Sequence, residues 1–396
     1  MSMLKKRTRL VLAVFIVLEI LAGIEWGIHR GLSSLFAKQV LLITSYIQIG
    51  YIVSIFGLSK AVTNLVFGTI SDRIGRKPVI MTGMILTGLG GALIWKASNY
   101  AYMLLGTALI GVGGGATFVG IMVSMTETLP LQIGLSMGLF ELAAYGGSSI
   151  GTYVGGKLAV VEGLRYPFIV IFFISAFGAV SSYFLTPETR MYTGDVETAR
   201  HSLSNHFNDF YRILPLSLAG FSSKIMDSLM ISFLPLYLLE RGISLEEATM
   251  FLSAFTLSWA LLQPLTGHLS DRAGRKTITV LGLFGSAVTI IALSLTSNYL
   301  YLVFLALLLG LEAALFYTPL VAMVSDIAPS EAEGTLIGSY RFFRDMGYFI
   351  GPILLGKIAD VYKLDYSIYL TSLIILVAVV VLLFSVEETN PLNNTR

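Results

Sequence analysis

Long runs of apolar residues alternate with short polar stretches along the whole chain. A helix of about 20 residues crosses the hydrocarbon core of a bilayer, and each run is long enough to do so. Twelve runs can be placed, in two groups of six separated by the longest polar stretch. The first group covers residues 10–34, 44–69, 78–97, 100–125, 134–156 and 166–186, and the second covers 212–239, 247–269, 277–297, 299–325, 334–356 and 364–386.

A charged, glycine-containing turn occurs at the same place in each group. The sequence Gly-Thr-Ile-Ser-Asp-Arg-Ile-Gly-Arg-Lys starts at Gly68, and Gly-His-Leu-Ser-Asp-Arg-Ala-Gly-Arg-Lys starts at Gly267, 199 residues later. Self-similarity at half of the chain length indicates two copies of one structural unit. Charged turns cannot lie in hydrocarbon, so we expect both at a membrane surface and call them the signature loops. Their matching residues are Gly68, Asp72, Arg73, Gly75 and Arg76 in the first loop and Gly267, Asp271, Arg272, Gly274 and Arg275 in the second.

The repeat and the apolar runs together predict the architecture. Backbone polar groups in lipid must be satisfied within the segment, which favours helices throughout. We therefore predict an all-α integral membrane protein with twelve transmembrane helices in two pseudo-symmetric six-helix halves. The predicted units are an N-terminal half at 1–188, a cytoplasmic linker at 189–210 and a C-terminal half at 211–396.

The distribution of Lys and Arg predicts the orientation in the membrane. With the N-terminus inside, fourteen of these residues lie on the inner side and eight on the outer side, where Arg30 is counted. Positive residues are concentrated on the cytoplasmic side of membrane proteins. We therefore expect a multi-pass plasma-membrane protein with both termini and both signature loops in the cytoplasm.

The composition excludes several classes of protein. Hydrophobic residues make up 55% of the chain and charged residues 13%, whereas soluble domains are about 25% charged. No cysteine is present, which excludes disulfides, thiol catalysis and Cys-ligated metals. The four histidines have no metal-site spacing, and a net charge of +2 gives no reason to expect nucleic acid as a partner. We also find no nucleophile–base pairing or phosphate loop, so we expect no enzyme, metal or cofactor.

Ionisable side chains inside the predicted spans are the first candidates for function, because each costs about 2.5–3.5 kcal/mol to insert. Glu25 and Glu141 have no oppositely charged partner in their own helix, which favours a functional role. Structural roles are expected for three others, Glu19, Lys60 and Glu312. The candidates for proton coupling are Glu25, Glu141, Asp227 and Asp345.

Two charge pairs are predicted from helical spacing in the second half. Lys224 and Asp227 are three residues apart and can pair on one helix face, and Arg341 and Asp345 are four apart. The second pairing would leave Arg344 as an additional cation. Such pairs either staple helices or serve a substrate site, and both interpretations stay open. The substrate-cavity candidates are Trp26, His29, Lys224, Arg341 and Arg344.

The pattern Gly-x-x-x-Asp-Arg-x-Gly-Arg-Lys, present twice, resembles the signature loop of the major facilitator superfamily of secondary transporters. A glycine series in the fifth span, repeated in the eleventh, resembles the motif of the family's drug:proton antiporters. The chain departs from the family where Thr152 replaces a proline and Thr107 replaces an arginine. The two series are Gly138, Gly147, Gly151 and Gly156, and Gly338, Gly347, Gly351 and Gly356. Glycines at this spacing are expected to let a neighbouring helix pack closely.

The resemblance implies that the signature loops act as gates. Asp72 would cap the start of the eleventh span, and Arg76 would pair with Glu127. In the other half Asp271 would cap the start of the fifth span. Arg275 would then pair with Asp326.

The function expected from these features is secondary transport of a small organic solute by alternating access. The halves would rock about a midplane site, and a protonatable carboxylate would couple the motion to the proton gradient. The resemblance favours proton-coupled efflux of drugs or metabolites. Proton-linked uptake or facilitated transport of an anionic metabolite is an alternative, favoured by the intramembrane cations, and a non-transporting receptor on the same fold is another. The expected partners are a small-molecule substrate, protons and the lipid bilayer, with the protein acting as a monomer.

Overall fold

The computed structural model describes residues 2–129, 132–190, 207–329 and 333–389. Within these ranges the chain forms thirteen α-helices and no strand. The first half contains α1 (Ser2–Gln39), α2 (Tyr46–Ile74), α3 (Arg76–Trp95), α4 (Tyr100–Thr128), α5 (Ile133–Glu162) and α6 (Tyr166–Leu185). The second half contains α7 (Phe207–Ser232), α8 (Leu234–Glu240), α9 (Leu245–Ala273), α10 (Arg275–Ser294), α11 (Tyr299–Ile327), α12 (Glu333–Val361) and α13 (Leu364–Ser385).

Twelve of these helices are long enough to cross a bilayer, with lengths from 20 to 38 residues. Nine of the described helices are also apolar enough by hydropathy alone. The other three, α5, α7 and α12, hold both glycine series and most of the intramembrane charges. Helix α5 packs between α1 and α9, and α12 packs between α2 and α7. The chain is a multi-span membrane protein with the predicted all-α, twelve-span fold.

The seventh predicted span is the one that differs most from the prediction. Residues 212–239 were expected to form one helix, but α7 and α8 are separated at Phe233. Pro235 lies in the first turn of α8, and its missing N–H cannot continue the hydrogen bonding of α7. Most of the linker predicted at 189–210 lies outside the described residues, which omit 191–206. The domain boundaries therefore stay a prediction.

Each signature loop is a tight turn between two helices. Gly75 joins α2 to α3 with φ of 99°, and Gly274 joins α9 to α10 with φ of 103°. Glycine reaches this backbone region without the steric cost that other residues incur. We call the side of the molecule that carries these turns the signature face, and the other side the opposite face.

Helices α1 and α5 pack backbone against backbone through glycine. A Cβ atom added to Gly27 would collide with the carbonyl of Ser148, and one added to Gly151 would collide with the carbonyl of Ile24. Thr152, which stands where the family has proline, donates its hydroxyl to the carbonyl of Gly27 at 3.0 Å. The small residues therefore let the backbones of α1 and α5 approach each other closely.

Two of the eight predicted packing glycines do not pack. A Cβ atom added to Gly138 or Gly338 would meet no described atom within 4 Å, whereas Gly147 and Gly347 contact α1 and α7. The prediction is therefore wrong for the first pair. Gly138 borders a cavity between the halves, and Gly338 is exposed rather than packed against another helix.

We predict that Gly151→Ala destabilises the protein while Gly146→Ala does not. Gly151 faces backbone atoms of α1 that cannot move aside, whereas Gly146 faces open space on the same helix. Overpacking of this kind costs about 1–3 kcal/mol. Thermal unfolding of the two purified variants in one detergent measures the difference, and equal unfolding midpoints would contradict the packing described above.

Candidate functional site

The two halves contact each other near the opposite face through two helix pairs, α2 with α12 and α5 with α9. The carboxylate of Asp360 accepts the N–H groups of Tyr46 at 2.6 Å and Ile47 at 3.0 Å, so α12 caps the start of α2. Lys157 of α5 lies 2.9 Å from Glu246 of α9. The halves are therefore closed against each other on the opposite face.

Toward the signature face, the halves enclose a cavity of about 670 Å³ between α5, α9, α11 and α12. This volume is typical of sites for small organic molecules. Most of its wall is apolar, with residues such as Leu135, Leu142 and Val321. Its polar lining residues are Glu141, Gln263, Tyr317, Thr318, Arg341 and Arg344. We call this space the solute cavity.

The arginines of the solute cavity are paired differently from the prediction. Arg344 Nε donates to Asp345 at 2.8 Å, and Arg344 also reaches the hydroxyl of Tyr317 at 3.4 Å. Arg341 makes no ion pair among the described residues, and its buried Nε has no hydrogen-bond partner there. The predicted Arg341–Asp345 pair is thus wrong, because Arg341 extends into the cavity, where Glu141 is its carboxyl neighbour.

Asp227 is the centre of a buried charge network. The predicted pair with Lys224 is present at 3.4 Å. Asp227 also forms an ion pair with Arg30 of α1 and accepts a hydrogen bond from the hydroxyl of Tyr348 in α12. The side chains of Arg30 and Asp227 are only 6% and 1% exposed. One carboxylate therefore joins α1 of the first half to α7 and α12 of the second.

Arg30 was predicted to lie on the outer surface, and that prediction is wrong. Helix α1 continues to Gln39, which leaves Arg30 within the membrane-spanning part. Its partner Asp227 lies 197 residues later, two residues short of the 199-residue repeat, so the repeat did not single out this pair.

Lys60, for which a structural role was expected, points into the bundle rather than to the membrane surface. Its ammonium lies 4.5 Å from the ring centre of Trp26 and 4.8 Å from that of Phe118, inside the bundle. Arg30 lies over the ring of Trp26 as well, at 4.4 Å. Trp26 therefore contacts two cations rather than the solute cavity.

An aromatic cluster, absent from the sequence-based candidates, lies at the inner end of the solute cavity. The ring centres of Tyr145 and Trp259 are 4.5 Å apart, and those of Trp259 and Tyr317 are 5.2 Å apart. The ammonium of Lys224 lies 5.3 Å from the ring of Tyr317. Sequence alone did not identify these residues, because aromatic residues at helical spacing are equally typical of a packed core.

Glu25 and His29 lie in the first half, away from the solute cavity. Glu25 is buried and accepts a hydrogen bond from Ser175 at 2.7 Å. His29 Nε2 lies 3.3 Å from the hydroxyl of Thr107, the residue that stands where the family has arginine. Of the predicted coupling and substrate residues, Glu141, Arg341 and Arg344 line the solute cavity in the described part of the chain, and Gly267 of the second signature loop lines it as well.

The first signature loop is held by ionic contacts. Arg76 lies 2.8 Å from Glu127, the contact that the resemblance implied, and 2.6 Å from Asp72. Glu188, just after α6, accepts the N–H of Arg76 at 2.8 Å, and Thr189 donates to Glu127 at 2.7 Å. A carboxylate at a helix start is stabilised by the helix dipole, by roughly 0.3–1 kcal/mol.

The second signature loop repeats this arrangement. Arg275 lies 2.6 Å from Asp326 and 3.3 Å from Asp271. Glu388 accepts the N–H of Arg275 at 2.7 Å, and Thr389 donates to Asp326 at 2.9 Å. Sequence analysis missed the Glu-Thr pairs of both loops, although they recur 200 residues apart at 188–189 and 388–389.

The resemblance implied that Asp72 and Asp271 cap the starts of α12 and α5, and the segments just before these two helices are not described. The residues before α12 and α5, at 330–332 and 130–131, lie outside the described residues. The capping and the gating role therefore stay predictions. Arg73 and Arg272 of the loops are exposed on the signature face.

The model of the family described as Major Facilitator Superfamily matches residues 15–215 and again 216–396. Among curated proteins, an uncharacterized MFS-type transporter of Methanocaldococcus jannaschii is 22% identical over 329 residues, which are 80% of this chain and 83% of that protein. The multidrug resistance protein MdtG of Proteus mirabilis is 27% identical over 338 residues, 82% of each chain.

Solved structures share the fold over nearly the whole chain. A bacterial homologue of the human lysosomal transporter Spinster, in an inward-facing and occupied conformation, superposes with a TM-score of 0.81 at 15% identity, covering 95% of this chain and 96% of that one. A D-xylose-proton symporter gives a TM-score of 0.79 at 15% identity, with 96% and 99% coverage.

We predict that Asp227→Asn destabilises the protein more than Arg30→Gln does. The first change leaves Arg30 and Lys224 without the carboxylate that both contact, whereas the second leaves Asp227 with Lys224 and Tyr348. An uncompensated buried charge costs about 3–5 kcal/mol. Thermal unfolding in detergent compares the variants, and an equal or larger loss for Arg30→Gln would show that Asp227 is not the centre of the network.

Proposed function

The chain belongs to the Major Facilitator Superfamily of transporters, and from the charges of its cavity we propose that it carries an organic solute with an acidic group together with a proton. The observation that carries this proposal is the position of Arg341. This guanidinium lines the solute cavity without an ion-pair partner among the described residues, with Glu141 in the same wall. An acidic group of the solute would supply the missing partner.

Charge balance links the solute to the proton. Arg344 is paired with Asp345, so Glu141 is the carboxylate that balances Arg341 while the cavity is empty. When an anionic group binds Arg341, an ionised Glu141 beside it would add a second negative charge. Protonation of Glu141 removes this excess, and uncompensated charge inside a membrane is costly. Proton and anion thus occupy the cavity together and leave it together.

In this proposal the carboxyl group that binds the coupled proton is that of Glu141, and not one of the other three candidates. Asp227 and Asp345 are each bound to cations, which keeps them ionised. Glu25 lies outside the solute cavity and accepts a hydrogen bond from Ser175. Glu141 alone of the four lines the space that the solute would fill among the described residues.

The apolar wall indicates the rest of the solute. Leu135, Leu142 and Val321 line the cavity beside the charged residues. An apolar portion of the solute would displace water from this wall, which favours binding. The proposed solute is therefore an amphipathic organic acid rather than a small, fully polar anion.

Alternating access supplies the transport cycle. The halves are closed on the opposite face by contacts such as Asp360 with Tyr46, while the cavity lies toward the signature face. We propose that the signature face is cytoplasmic and that the protein lies in the plasma membrane. When Arg30 is counted within the membrane, fourteen Lys and Arg residues lie on the inner side and seven on the outer side. This excess supports the proposed orientation.

Efflux of drugs is a second candidate, supported by the similarity to multidrug resistance proteins MdtG and by the apolar wall. A cationic drug would bind the ionised form of Glu141 and would displace the proton. The proton would then move opposite to the drug, whereas an organic acid moves with it. The relative direction of proton and solute therefore separates the two candidates.

We predict that Glu141→Gln abolishes accumulation driven by a pH gradient and preserves exchange of solute down its own gradient. The neutral amide mimics the protonated acid, so solute still binds while proton release no longer drives the cycle. A thermal-shift screen of amphipathic carboxylic acids against their neutral amides first identifies a substrate. Reconstituted vesicles then measure counterflow and accumulation separately.

The comparison variants are Glu312→Gln and Arg341→Gln. Glu312→Gln is expected to keep its accumulation, since this buried carboxyl is not among the lining residues of the solute cavity and accepts a hydrogen bond from Thr289. Arg341→Gln weakens binding of the acid at least tenfold and leaves binding of the amide within about twofold. Equal losses for acid and amide, or undiminished accumulation by Glu141→Gln, would refute the proposed roles of these residues.

We further propose that the signature loops close the signature face in the other half of the cycle. Asp72 pairs with Arg76 at 2.6 Å, but 69% of its side chain is accessible in this conformation, so it could approach another helix start as the halves rock. Asp72→Asn is expected to reduce transport at least tenfold and to leave solute binding within about tenfold, or ~1.4 kcal/mol. Transport at the native rate would show that this residue is not part of a gate.

A further inference from the structure

A second, smaller cavity lies within the first half, between α1, α2, α3 and α4. Its volume is about 40 Å³, and it is separate from the solute cavity. A cavity needs about 10–15 Å³ to hold one water molecule, so this one has room for water but not for an organic solute. Its polar lining residues are Glu19, Glu25, Trp26, Lys60, Thr87 and Thr117. We call it the inner cavity.

Several buried polar atoms of the inner cavity have no partner within the described part of the protein. They are Oε2 of Glu19, Oγ1 of Thr117 and Nε1 of Trp26. Glu19 and Thr117 are 3% and 1% exposed, so solvent at the surface does not reach them. Buried water typically makes about three hydrogen bonds to such otherwise unsatisfied groups. These three atoms therefore indicate a place for ordered water next to a carboxyl group.

Lys60 is the basic side chain in the lining of the inner cavity. The rings of Trp26 and Phe118 hold its ammonium at 4.5 and 4.8 Å. The charged groups that face Lys60 are Asp345, Glu19, Arg30 and Glu141, and those that face Glu19 are Lys60, Glu141 and Glu25. The lining of the inner cavity contributed by α3 and α4 contains no charged residue.

Lys60 therefore interacts electrostatically, without a direct ion pair among the described residues, with a carboxyl of its own half and with one of the other half. Glu19 belongs to α1, whereas Asp345 belongs to α12 and is bound to Arg344 of the solute cavity. Helix α2 also contacts α12 directly, since a Cβ on Gly57 would lie 2.8 Å from Tyr348 Cβ. A change of charge on Glu19 therefore acts, through Lys60, on the interface between the halves.

We propose that the inner cavity is a second proton-binding site, in which water delivers a proton to Glu19 and Lys60 is the fixed countercharge. When Glu19 is ionised, it balances Lys60 within the first half. When Glu19 takes the proton, Asp345 becomes the main counterion of Lys60 and is drawn away from Arg344. Arg344 is then available to the solute. This inference rests on the proposed function, because it adds a proton site to proton-coupled transport.

The ammonium group of Lys60 favours a proton, rather than a metal cation, as the ligand of the inner cavity. Lys60 already supplies one positive charge next to Glu19, and a metal ion would add a second. Three or more metal-ligating His, Cys, Asp or Glu side chains do not come together in the described residues. The test below therefore also checks whether the carboxyl band responds to sodium, which would contradict a proton site.

Infrared difference spectroscopy between acidic and alkaline pH tests the site without any solute. A protonated carboxyl group gives a C=O stretching band that ionisation removes, and Glu19→Gln is expected to lose one component of that band. The matched control is Glu312→Gln, which removes a buried carboxyl of the other half that accepts a hydrogen bond from Thr289 at 2.8 Å. Lys60→Gln is expected to shift the pH at which the Glu19 component appears.

Transport measurements separate this inference from the proposed function. Glu19→Gln and Lys60→Gln are expected to reduce pH-driven accumulation at least tenfold and to retain counterflow, whereas Glu312→Gln retains both. If native protein shows no pH-driven accumulation, the proposed function fails, while the infrared result still decides whether Glu19 binds a proton.

An unchanged infrared band in Glu19→Gln would overturn the inference, and so would a band that responds to sodium at constant pH. If either single variant fails to fold, the double variant Glu19→Gln/Lys60→Gln is measured instead, because it removes both the acidic and the basic charge of this pair. Full pH-driven accumulation by that double variant would equally overturn the inference.

Discussion

A charge buried in a membrane must have a counterion nearby, and most features of this molecule depend on that constraint. Around the two cavities the described residues include five basic and five acidic side chains. Asp227 satisfies two cations and thereby joins helices from both halves, and Asp345 satisfies Arg344. The basic set is Arg30, Lys60, Lys224, Arg341 and Arg344, and the acidic set is Glu19, Glu25, Glu141, Asp227 and Asp345. A ligand or proton that enters would have to preserve this balance, and the proposed function links binding, protonation and motion through it.

The halves are joined differently at their two ends. Close to the opposite face, glycines and helix caps bring backbones into direct contact, as where Asp360 caps α2. At the signature face, ion pairs such as Arg76 with Glu127 stabilise each half separately. The buried network at Asp227 lies between these regions. Rocking of one half on the other can therefore open or close either face while each half stays intact.

Apolar run length and the repeat predicted the fold, and the family resemblance implied the ionic contacts of Arg76 with Glu127 and of Arg275 with Asp326. The sequence did not predict which way individual side chains point or which partner each one contacts. Helical spacing favoured Arg341, four residues before Asp345, whereas in the structure Asp345 pairs with the adjacent Arg344, which also contacts Tyr317 of α11. Arg30 was misplaced because the end of α1 could not be read from hydropathy. The carboxyl caps of the loops were missed although their Glu-Thr pairs repeat.

The central claim is that proton and solute move in the same direction, and the direction of proton flux tests it most directly. Purified protein in vesicles without an imposed pH gradient is given an amphipathic organic acid outside, and the external pH is followed in a weakly buffered medium. The account predicts that the medium becomes more alkaline as solute enters with its proton, in proportion to the solute taken up. Acidification of the medium during uptake, or uptake with no change of pH, would contradict it.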